Sequence, residues 1–299
     1  MTDRIKTYEL PGSTILHDFQ IYEVKGGEIA NKRYPHKTDR PHRHSYYEVC
    51  IFMNEAGKHE IDFQTYPILS HSIHFLSPGQ VHRIFRDKDY HGYLIVFSSE
   101  FFSLGASRQE NPLFYFPFFN NPTMLPFLDL EESAFDDILL LVRQMEKESL
   151  VEQPSNSEIL RAYLQLLLLK CKRYYMWKFA DKQHTGTPDF TQVQQFNMLV
   201  EKHFSEHLLI QDYAEMMGIS PAILNRAVKK IIGKTAAEII VDRLILQAKR
   251  LLIYTNLSNK EIAFRLNYTD PSYFTRTFKK KTGKNPSQFK KEVNEKYQY

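Results

Sequence analysis

The sequence is poor in cysteine, with Cys50 and Cys171 as its two representatives among 299 residues. They lie far apart and show neither redox nor zinc-site spacing, so we expect two buried or partly buried thiols and no disulfide framework. Long apolar runs are also missing. The richest run, YLQLLLLK at 163–170, is far too short to cross a bilayer. Residues 1–12 do not combine a basic start with an apolar stretch, as a signal peptide does. We therefore expect a cytoplasmic protein that makes no membrane contact.

Charge is unevenly distributed along a chain whose length indicates two domains. Its 42% hydrophobic and 25% charged residues are typical of a globular protein with sizeable cores. Residues 190–299 contain 18 Lys and Arg against 10 Asp and Glu, a net charge of +8, whereas residues 1–189 carry a net charge of −4. A basic half joined to an acidic half is typical of a nucleic-acid-binding module attached to another domain, and it predicts salt-sensitive DNA binding.

A sequence pattern occurs twice near the C-terminus with a period of about fifty residues. The first copy, DYAEMMGISPAILNRAVKKIIGKT, starts at Asp212, and the second, EIAFRLNYTDPSYFTRTFKKKTGKN, starts at Glu261. Each copy predicts a short helix, a tight turn and a second helix opened by a capping residue, which is a helix-turn-helix unit. A one-residue insertion between Ser220 and Leu224 shifts the register. The alignment pairs Ala214 with Ala263, Ser220 with Thr269, Leu224 with Phe274, Arg226 with Arg276, Lys229-Lys230 with Lys279-Lys280, and Gly233 with Gly283.

The second helix of each copy has an apolar face and a polar face. Arginine and asparagine suit base edges and lysine suits phosphates, so the polar faces are predicted to contact DNA. The alternative is two ordinary amphipathic helix pairs with solvated basic faces. The arginine, the lysine pair and the glycine recur in register, and this recurrence disfavours the alternative. The predicted inward residues are Leu224, Ala227, Val228, Ile231, Phe274 and Phe278. The predicted DNA-facing residues are Ala222, Asn225, Arg226, Lys229, Ser272, Thr275, Arg276 and Lys279.

These residues resemble the DNA-binding domain of the AraC/XylS family of bacterial transcription regulators, in which one long helix joins two helix-turn-helix units. Residues 236–256, AAEIIVDRLILQAKRLLIYTN, stand where that helix is expected, and residues 257–289 match the family pattern almost position by position. The resemblance covers about residues 192–296 and implies that the two units face successive major-groove segments. One departure is Ala227-Val228, where the family usually has a larger apolar residue followed by Phe, which puts the packing of the first unit in question.

The N-terminal half holds nine of the twelve histidines, between His17 and His91. Strand-length segments rich in Val, Ile, Phe and Tyr, including one at 58–68, alternate with turn residues and predict an antiparallel barrel or double-sheet roll. Many AraC-type regulators carry an N-terminal cupin-like barrel that senses a small molecule, and residues 41–52 and 75–84 resemble the two cupin segments. The resemblance thus implies an effector-sensing, all-β cupin-like barrel over residues 1–130.

These segments contain the pattern HxHxxxE at His42, His44 and Glu48, and His82 in PGQVH. In cupin enzymes these four positions bind a divalent metal, and the donor set suits iron, zinc, manganese, nickel or copper. Regulators of the family usually bind an organic effector without metal. The favoured interpretation is therefore an effector site without a cofactor, at a pocket mouth lined by His42, His44, Tyr46, Glu48 and His82. A divalent-metal site at His42, His44, Glu48 and His82, or structural histidines at strand ends, remain as alternatives.

Residues 131–180 are predicted to form a helical section, with helices at 133–149 and 156–179. Their apolar stripes either form a homodimer interface, as the resemblance implies, or cover the barrel. The Phe-rich loop at 111–122 fills the core by default, and closing the effector pocket or contacting the DNA-binding domain are its alternatives. Residues 181–191 read as a linker and 192–299 as the DNA-binding domain. The apolar stripe of the first helix consists of Ile138, Leu141, Val142 and Met145. That of the second helix consists of Leu160, Leu164, Leu167 and Leu168.

The expected fold is thus a two-domain chain, an all-β cupin-like barrel with a helical dimerisation section followed by an all-α tandem helix-turn-helix domain. The expected function is that of an effector-controlled, homodimeric transcription regulator that binds double-stranded promoter or operator DNA, with RNA polymerase as a further candidate partner. A metal-dependent cupin enzyme or metal sensor fused to a DNA-binding domain is the competing class. A DNA-binding scaffold whose sensor has lost its ligand is the third. Because no acid, base or nucleophile constellation accompanies the four candidate ligands, we expect no enzyme activity.

Overall fold

The computed structural model describes residues 6–10, 18–26, 28–29, 40–85, 89, 91–103, 113, 116–119, 125–151, 153, 155–179 and 187–297. The chain divides into two compact units between residues 183 and 184, inside the predicted linker. Among the described residues, no helix combines the length and apolar character needed to span a membrane.

The N-terminal unit contains two β-sheets. The five-stranded sheet has the order β1-β4-β9-β6-β7, and the six-stranded sheet has the order β11-β8-β5-β10-β2-β3. No described strand belongs to both sheets, so the unit is the double-sheet roll, one of the two predicted forms, and the all-β cupin-like fold class is confirmed. The strands are β1 (Thr7–Tyr8), β2 (Phe19–Lys25), β3 (Glu28–Ile29), β4 (His42–His44), β5 (Tyr47–Phe52), β6 (Gly57–Ile61), β7 (Gln64–Ile68), β8 (Ser72–Leu76), β9 (Val81–Phe85), β10 (Gly92–Phe97) and β11 (Phe127–Asp129).

The central strands of the six-stranded sheet, β5, β8 and β10, are buried on both faces. Along β5, Tyr47, Val49 and Ile51 belong to the core that the helices cover, whereas Cys50 and Phe52 belong to the core shared with the five-stranded sheet. This division follows from the period-2 alternation of side chains along a strand. The unit therefore has three layers, in the order helices, six-stranded sheet and five-stranded sheet. Its helices are α1 (Ser99–Ser103), α2 (Glu132–Ser149) and α3 (Asn156–Phe179).

The apolar stripes of α2 and α3 cover the sheet. All eight stripe residues are buried in this core or packed against it, with Leu141 the partly buried member. These residues therefore pack within the N-terminal unit, as the alternative of helices that cover the sheet predicts, and the homodimer stays a prediction. The described part of the Phe-rich loop also fills the core, where Phe118 stacks on Phe75 with ring centroids 3.8 Å apart.

The segment predicted as one strand at 58–68 is a hairpin formed by β6 and β7. Asp62 and Phe63 form its two-residue turn, with left-handed φ values of 46° and 72°. Such a turn usually contains asparagine or glycine. Here the Asp62 carboxylate accepts hydrogen bonds from the Val81 backbone N–H at 3.2 Å and the Gln80 amide at 3.0 Å, which ties the turn to β9.

The C-terminal unit consists of helices among its described residues. The first helix begins at Pro188, where the Thr187 hydroxyl caps it by accepting from the Phe190 N–H. The end of the predicted linker is therefore helical, and residues 181–186 of it lie outside the described residues. The helices are α4 (Pro188–His203), α5 (Ile210–Met216), α6 (Pro221–Ile232), α7 (Ala236–Tyr254), α8 (Asn259–Arg265), α9 (Pro271–Thr282) and α10 (Pro286–Tyr297).

The structure changes the alignment of the two repeats at one point. Helices α6 and α9 are each 12 residues long and begin with proline, and their N-caps are Ser220 and Asp270. Ser220 is therefore equivalent to Asp270, not to Thr269 as predicted. The extra residue lies in the turn before the cap, after the equivalent left-handed residues Gly218 and Asn267. The second helices consequently align without a gap.

Helix α7 connects the two helix-turn-helix units, which are formed by α5 with α6 and by α8 with α9. Its Asp242 carboxylate accepts hydrogen bonds from Lys234, after the first unit, at 2.8 Å and from Lys281 of α9 at 2.9 Å. The neighbouring Arg243 is 5% exposed and donates to both carboxylate oxygens of Glu201 on α4, at 2.5 and 2.8 Å. Ala227 and Val228 are both fully buried, so the smaller residues of the first unit still lie in its core.

The buried pair of Glu201 and Arg243 generates a stability prediction. Replacing Glu201 with alanine leaves a buried guanidinium without its carboxylate, so we expect the free energy of unfolding to fall by about 3–5 kcal/mol. Urea denaturation of the full chain, followed by circular dichroism, measures the loss. The control is Glu215→Ala at an exposed position of α5, which should change stability by no more than about 0.5 kcal/mol. Equal effects of the two substitutions would contradict the assignment.

Candidate nucleic-acid interface and sensor site

Helices α6 and α9 present the same set of cationic side chains to solvent. The side chains of Arg226 and Arg276 are each 69% exposed, and they occupy the same position of two helices of equal length. Lys229 and Lys279 are exposed one turn later. Ala222 and Ser272 are exposed in the first turns, where helix N-termini favour phosphate. Six of the eight predicted DNA-facing residues thus lie on exposed helix faces.

Asn225 and Thr275 are the two exceptions, because both are half-buried and engaged within the protein. The Asn225 side-chain oxygen accepts a hydrogen bond from the Ala236 N–H at 3.1 Å, at the first residue of α7. The Thr275 hydroxyl donates to the Pro271 carbonyl of its own helix at 3.0 Å. Both side chains therefore lie at the edge of the exposed face, and their contact with DNA stays a prediction.

Two features of this surface escaped the sequence prediction. Tyr273 is 58% exposed beside Ser272, and helical spacing from Arg276 would have placed it on the same face. The Asp189 carboxylate at the start of α4 lies 2.7 Å from the Lys230 ammonium and 3.9 Å from the Arg226 guanidinium. Because α4 is distant in sequence, no pattern in the repeats reveals this carboxylate.

The predicted sensor residues lie between the two sheets, not at a pocket mouth. His42, His44 and His82 come from the five-stranded sheet and Glu48 from the six-stranded sheet, and each is at most 3% exposed. β4 and β9 pair with His42 directly opposite His82, and His44 follows two residues later on the same face. One ring nitrogen from each of the three histidines lies within 4.8 Å of the other two.

Glu48 lies beside this group but is not one of the three converging donors. One of its carboxylate oxygens is 3.3 Å from His44 Nδ1, and the other accepts from the Cys50 thiol at 3.2 Å. Burial first, and the Glu48 charge second, raise the Cys50 pKa well above its ordinary value, so this thiol keeps its proton. Tyr46 stacks on His44 with ring centroids 4.4 Å apart, which fixes the imidazole plane.

His59 and His74 extend the cluster and were not predicted. His59 Nε2 is 2.9 Å from His82 Nδ1, and His59 Nδ1 is 3.2 Å from His74 Nδ1. Burial lowers the pKa of His74 to about 3, and burial with the charges of His74 and His42 lowers that of His59 well below its ordinary value. Both imidazoles are therefore neutral at physiological pH. The alternation along β6, where polar residues flank His59, is the signal that would have placed it inside.

Comparisons with known proteins match both units. The AraC-like ligand binding domain family matches residues 25–168, and a helix-turn-helix domain family matches residues 213–292. The uncharacterized HTH-type transcriptional regulator YfiF of Bacillus subtilis (strain 168) is 26% identical over 281 residues, which cover 91% of this chain and 84% of that protein. The HTH-type transcriptional activator RhaR of Enterobacter sp. (strain 638) is 20% identical over 277 residues, which cover 92% of this chain and 96% of that protein.

A further relative matches part of the chain. The bifunctional transcriptional activator/DNA repair enzyme AdaA of Bacillus subtilis (strain 168) is 31% identical over 148 residues, which cover 50% of this chain and 65% of that protein. The two family matches together with the long matches to regulators show that this chain belongs to the AraC family of transcription regulators, with a ligand-binding domain followed by a helix-turn-helix DNA-binding domain.

Proposed function

We propose that the chain reads promoter or operator DNA by placing α6 and α9 in successive major-groove segments. The observation that carries this proposal is the equivalence of the two helices, which expose an arginine and a lysine pair at the same positions of the same length of helix. A solvated basic face does not require such equivalence. A reader with two recognition helices does, because each helix must approach base edges in the same manner.

The exposed side chains divide between base and phosphate contacts. Arg226 and Arg276 project far enough to bind guanine through two hydrogen bonds. Lys229 and Lys279 lie one turn further from the helix N-terminus and serve phosphates, as the point charge of an ammonium suits. Ala222 and Ser272 occupy the first turn of each helix, where base edges are read. Asn225 supports this surface by holding the start of α7.

The proposed control is linkage between a ligand held among the inner polar residues of the N-terminal unit and DNA binding by the C-terminal unit. A ligand that binds one arrangement of the protein more tightly shifts the population toward that arrangement. Such control distinguishes this proposal from a scaffold whose sensor has lost its ligand. The relatives are named as regulators, so the alternative of a metal-dependent enzyme is not supported. We place its action in the bacterial cytoplasm, with RNA polymerase as a candidate partner.

A homodimer is part of the proposal, and its interface is assigned to the exposed side of α3. Ile159, Leu166, Leu169 and Trp177 are 39–62% exposed along one stripe of this helix. Their spacing of seven, three and eight residues keeps them on a single face, as in helix pairs that pack side by side. The opposite stripe is already buried against the sheet. A second copy of the chain would cover this exposed stripe.

The base-reading assignment predicts a loss of discrimination. Arg226→Ala and Arg276→Ala should each reduce the preference for the operator over a scrambled duplex by about 1–3 kcal/mol. Fluorescence anisotropy at fixed salt measures both affinities for each variant. Lys229→Ala is the matched control, because losing a phosphate contact weakens both duplexes alike and lowers the salt slope by about 0.9. An unchanged affinity ratio for either arginine variant would refute its assignment.

The position of Asp189 predicts a gain of DNA affinity. Asp189→Asn removes the carboxylate beside Lys230 and Arg226, so one more cation becomes available to phosphate. The slope of log affinity against log salt should steepen by about 0.9, and affinity should rise on operator and scrambled DNA alike. Glu215→Gln makes the same charge change away from this pair and is the control. If both variants bind equally, Asp189 does not compete with DNA.

The interface assignment predicts a change of oligomeric state. Leu166→Glu combined with Leu169→Glu places two carboxylates in an apolar contact, and we expect the dimer to dissociate at micromolar concentration. Sedimentation equilibrium of the full chain measures the mass. Gln165→Glu introduces a charge at a neighbouring exposed position outside the stripe and should leave the mass unchanged. A parent protein that is monomeric at all concentrations, or a double variant that stays dimeric, would show that this stripe is not the interface.

A further inference from the structure

The three converging histidines each have their Nδ1 atom beside a hydrogen-bond acceptor. His42 Nδ1 lies 2.7 Å from the Arg40 carbonyl oxygen, and His44 Nδ1 lies 3.3 Å from the Glu48 carboxylate. A carbonyl and an ionised carboxylate can only accept, so each of these two imidazoles, in its neutral form, carries its proton on Nδ1. The tautomer assigned in this way puts the ring lone pair on Nε2.

A relay of imidazoles allows the third ring the same tautomer. His82 Nδ1 is 2.9 Å from His59 Nε2, and His59 Nδ1 is 3.2 Å from His74 Nδ1. If His82 donates to His59 and His59 donates to His74, each contact contains one proton and one lone pair. His82 then carries its lone pair on Nε2, as His42 and His44 do.

We propose that the Nε2 atoms of His42, His44 and His82 bind one divalent first-row transition metal ion. Glu48 orients the His44 ring and does not bind the metal itself. This inference rests on the proposed function in one respect. The metal ion would be the ligand that the N-terminal unit senses, or it would hold an organic effector that the unit senses. Neutral imidazole nitrogen is a preferred donor for zinc, cobalt, nickel, iron and copper.

The surroundings of the three rings match the requirements of a metal site. Ligating histidines almost always donate their other N–H to a carboxylate, a backbone carbonyl or a similar acceptor, which fixes the ring and raises its basicity. Glu48, the Arg40 carbonyl and His59 supply these acceptors, one for each ring. The alternative of a four-ligand site thus becomes a three-ligand site in this proposal, because Glu48 is not among the converging donors and its oxygens face His44 and Cys50.

The distances between the ring nitrogens also show how the site must change when it binds a metal ion. Metal–nitrogen bonds of about 2.0–2.1 Å place three ligand nitrogens roughly 3–3.5 Å apart. The ring nitrogens lie within 4.8 Å of one another, so binding draws the rings together. His42 and His82 lie opposite each other on paired strands, and the same contraction therefore acts on β4 and β9. Solvent or an organic effector would complete the coordination.

The test is metal stoichiometry on the full, untagged chain. Protein purified without chelators is loaded with zinc chloride, desalted and analysed by plasma mass spectrometry. We expect one zinc per chain in the parent and a complete loss in His44→Ala and His82→Ala. His91→Ala removes an exposed histidine of the same unit and should retain the full zinc content. Glu48→Gln should also retain one zinc per chain, with an affinity lower by about 10- to 100-fold.

X-ray absorption of the zinc-loaded parent keeps the test decisive if a buried-histidine variant fails to fold. Three imidazole scatterers without a sulfur neighbour are expected. A sulfur neighbour would identify Cys50 as a ligand, and loss of all zinc from Glu48→Gln would identify Glu48 as one. Either result, or a parent chain that binds no zinc and no cobalt, overturns the proposed site. Operator binding by the same samples is measured in parallel, so failure of the metal site is distinguished from failure of the proposed regulator.

Discussion

Both faces of the central strands of the six-stranded sheet are buried, and this constraint governs everything placed on their inner side. A polar group there cannot reach bulk water, so it must find its hydrogen bonds within the protein. Glu48 meets this requirement through His44 and Cys50, and His74 meets part of it through His59. The opposing sheet contributes His42, His44 and His82 to the same interior. The polar cluster is therefore a property of two facing sheets and not of one motif.

A different constraint organises the DNA-binding unit, in which two small helix pairs share one long helix. Neither pair has a large core of its own. Their apolar residues join a single core built around α7, with Ile239, Leu244 and Leu252 at its centre. Asp242 of α7 then accepts hydrogen bonds from Lys234, which follows the first pair, and from Lys281 of the second pair. The exposed faces of α6 and α9 are consequently carried by one continuous packed body.

Sequence patterns predicted the elements well where the local signal was complete. The predicted bounds of the helix at 156–179 agree with α3, because an apolar stripe of regular period spans it from end to end. The tandem helix-turn-helix was predicted from the recurrence of arginine, lysine and glycine. The position of the insertion was wrong, because Thr269 and Asp270 are both good N-caps and only the backbone distinguishes them. The exposed stripe of α3 was also missed, since a strong buried stripe dominated the pattern.

Details of both candidate sites depended on residues distant in sequence. Helical spacing placed Asn225 outward, but the backbone N–H of Ala236 approaches it only in the folded unit. The HxHxxxE spacing grouped Glu48 with the histidines, although spacing cannot tell a ligand from the acceptor that orients one. His59 was missed because its hairpin turns at Asp62 and Phe63 without glycine. These differences arise from tertiary contacts, which local periodicity does not encode.

The extra residue in the turn of the second repeat leaves the helix that follows it unchanged in length and in register. An insertion inside a recognition helix would rotate every later side chain by about 100°. Thr269 instead lies between a left-handed residue and a cap, where the backbone absorbs it before the helix begins. The exposed positions of α9 therefore keep the same register as those of α6 despite the extra residue.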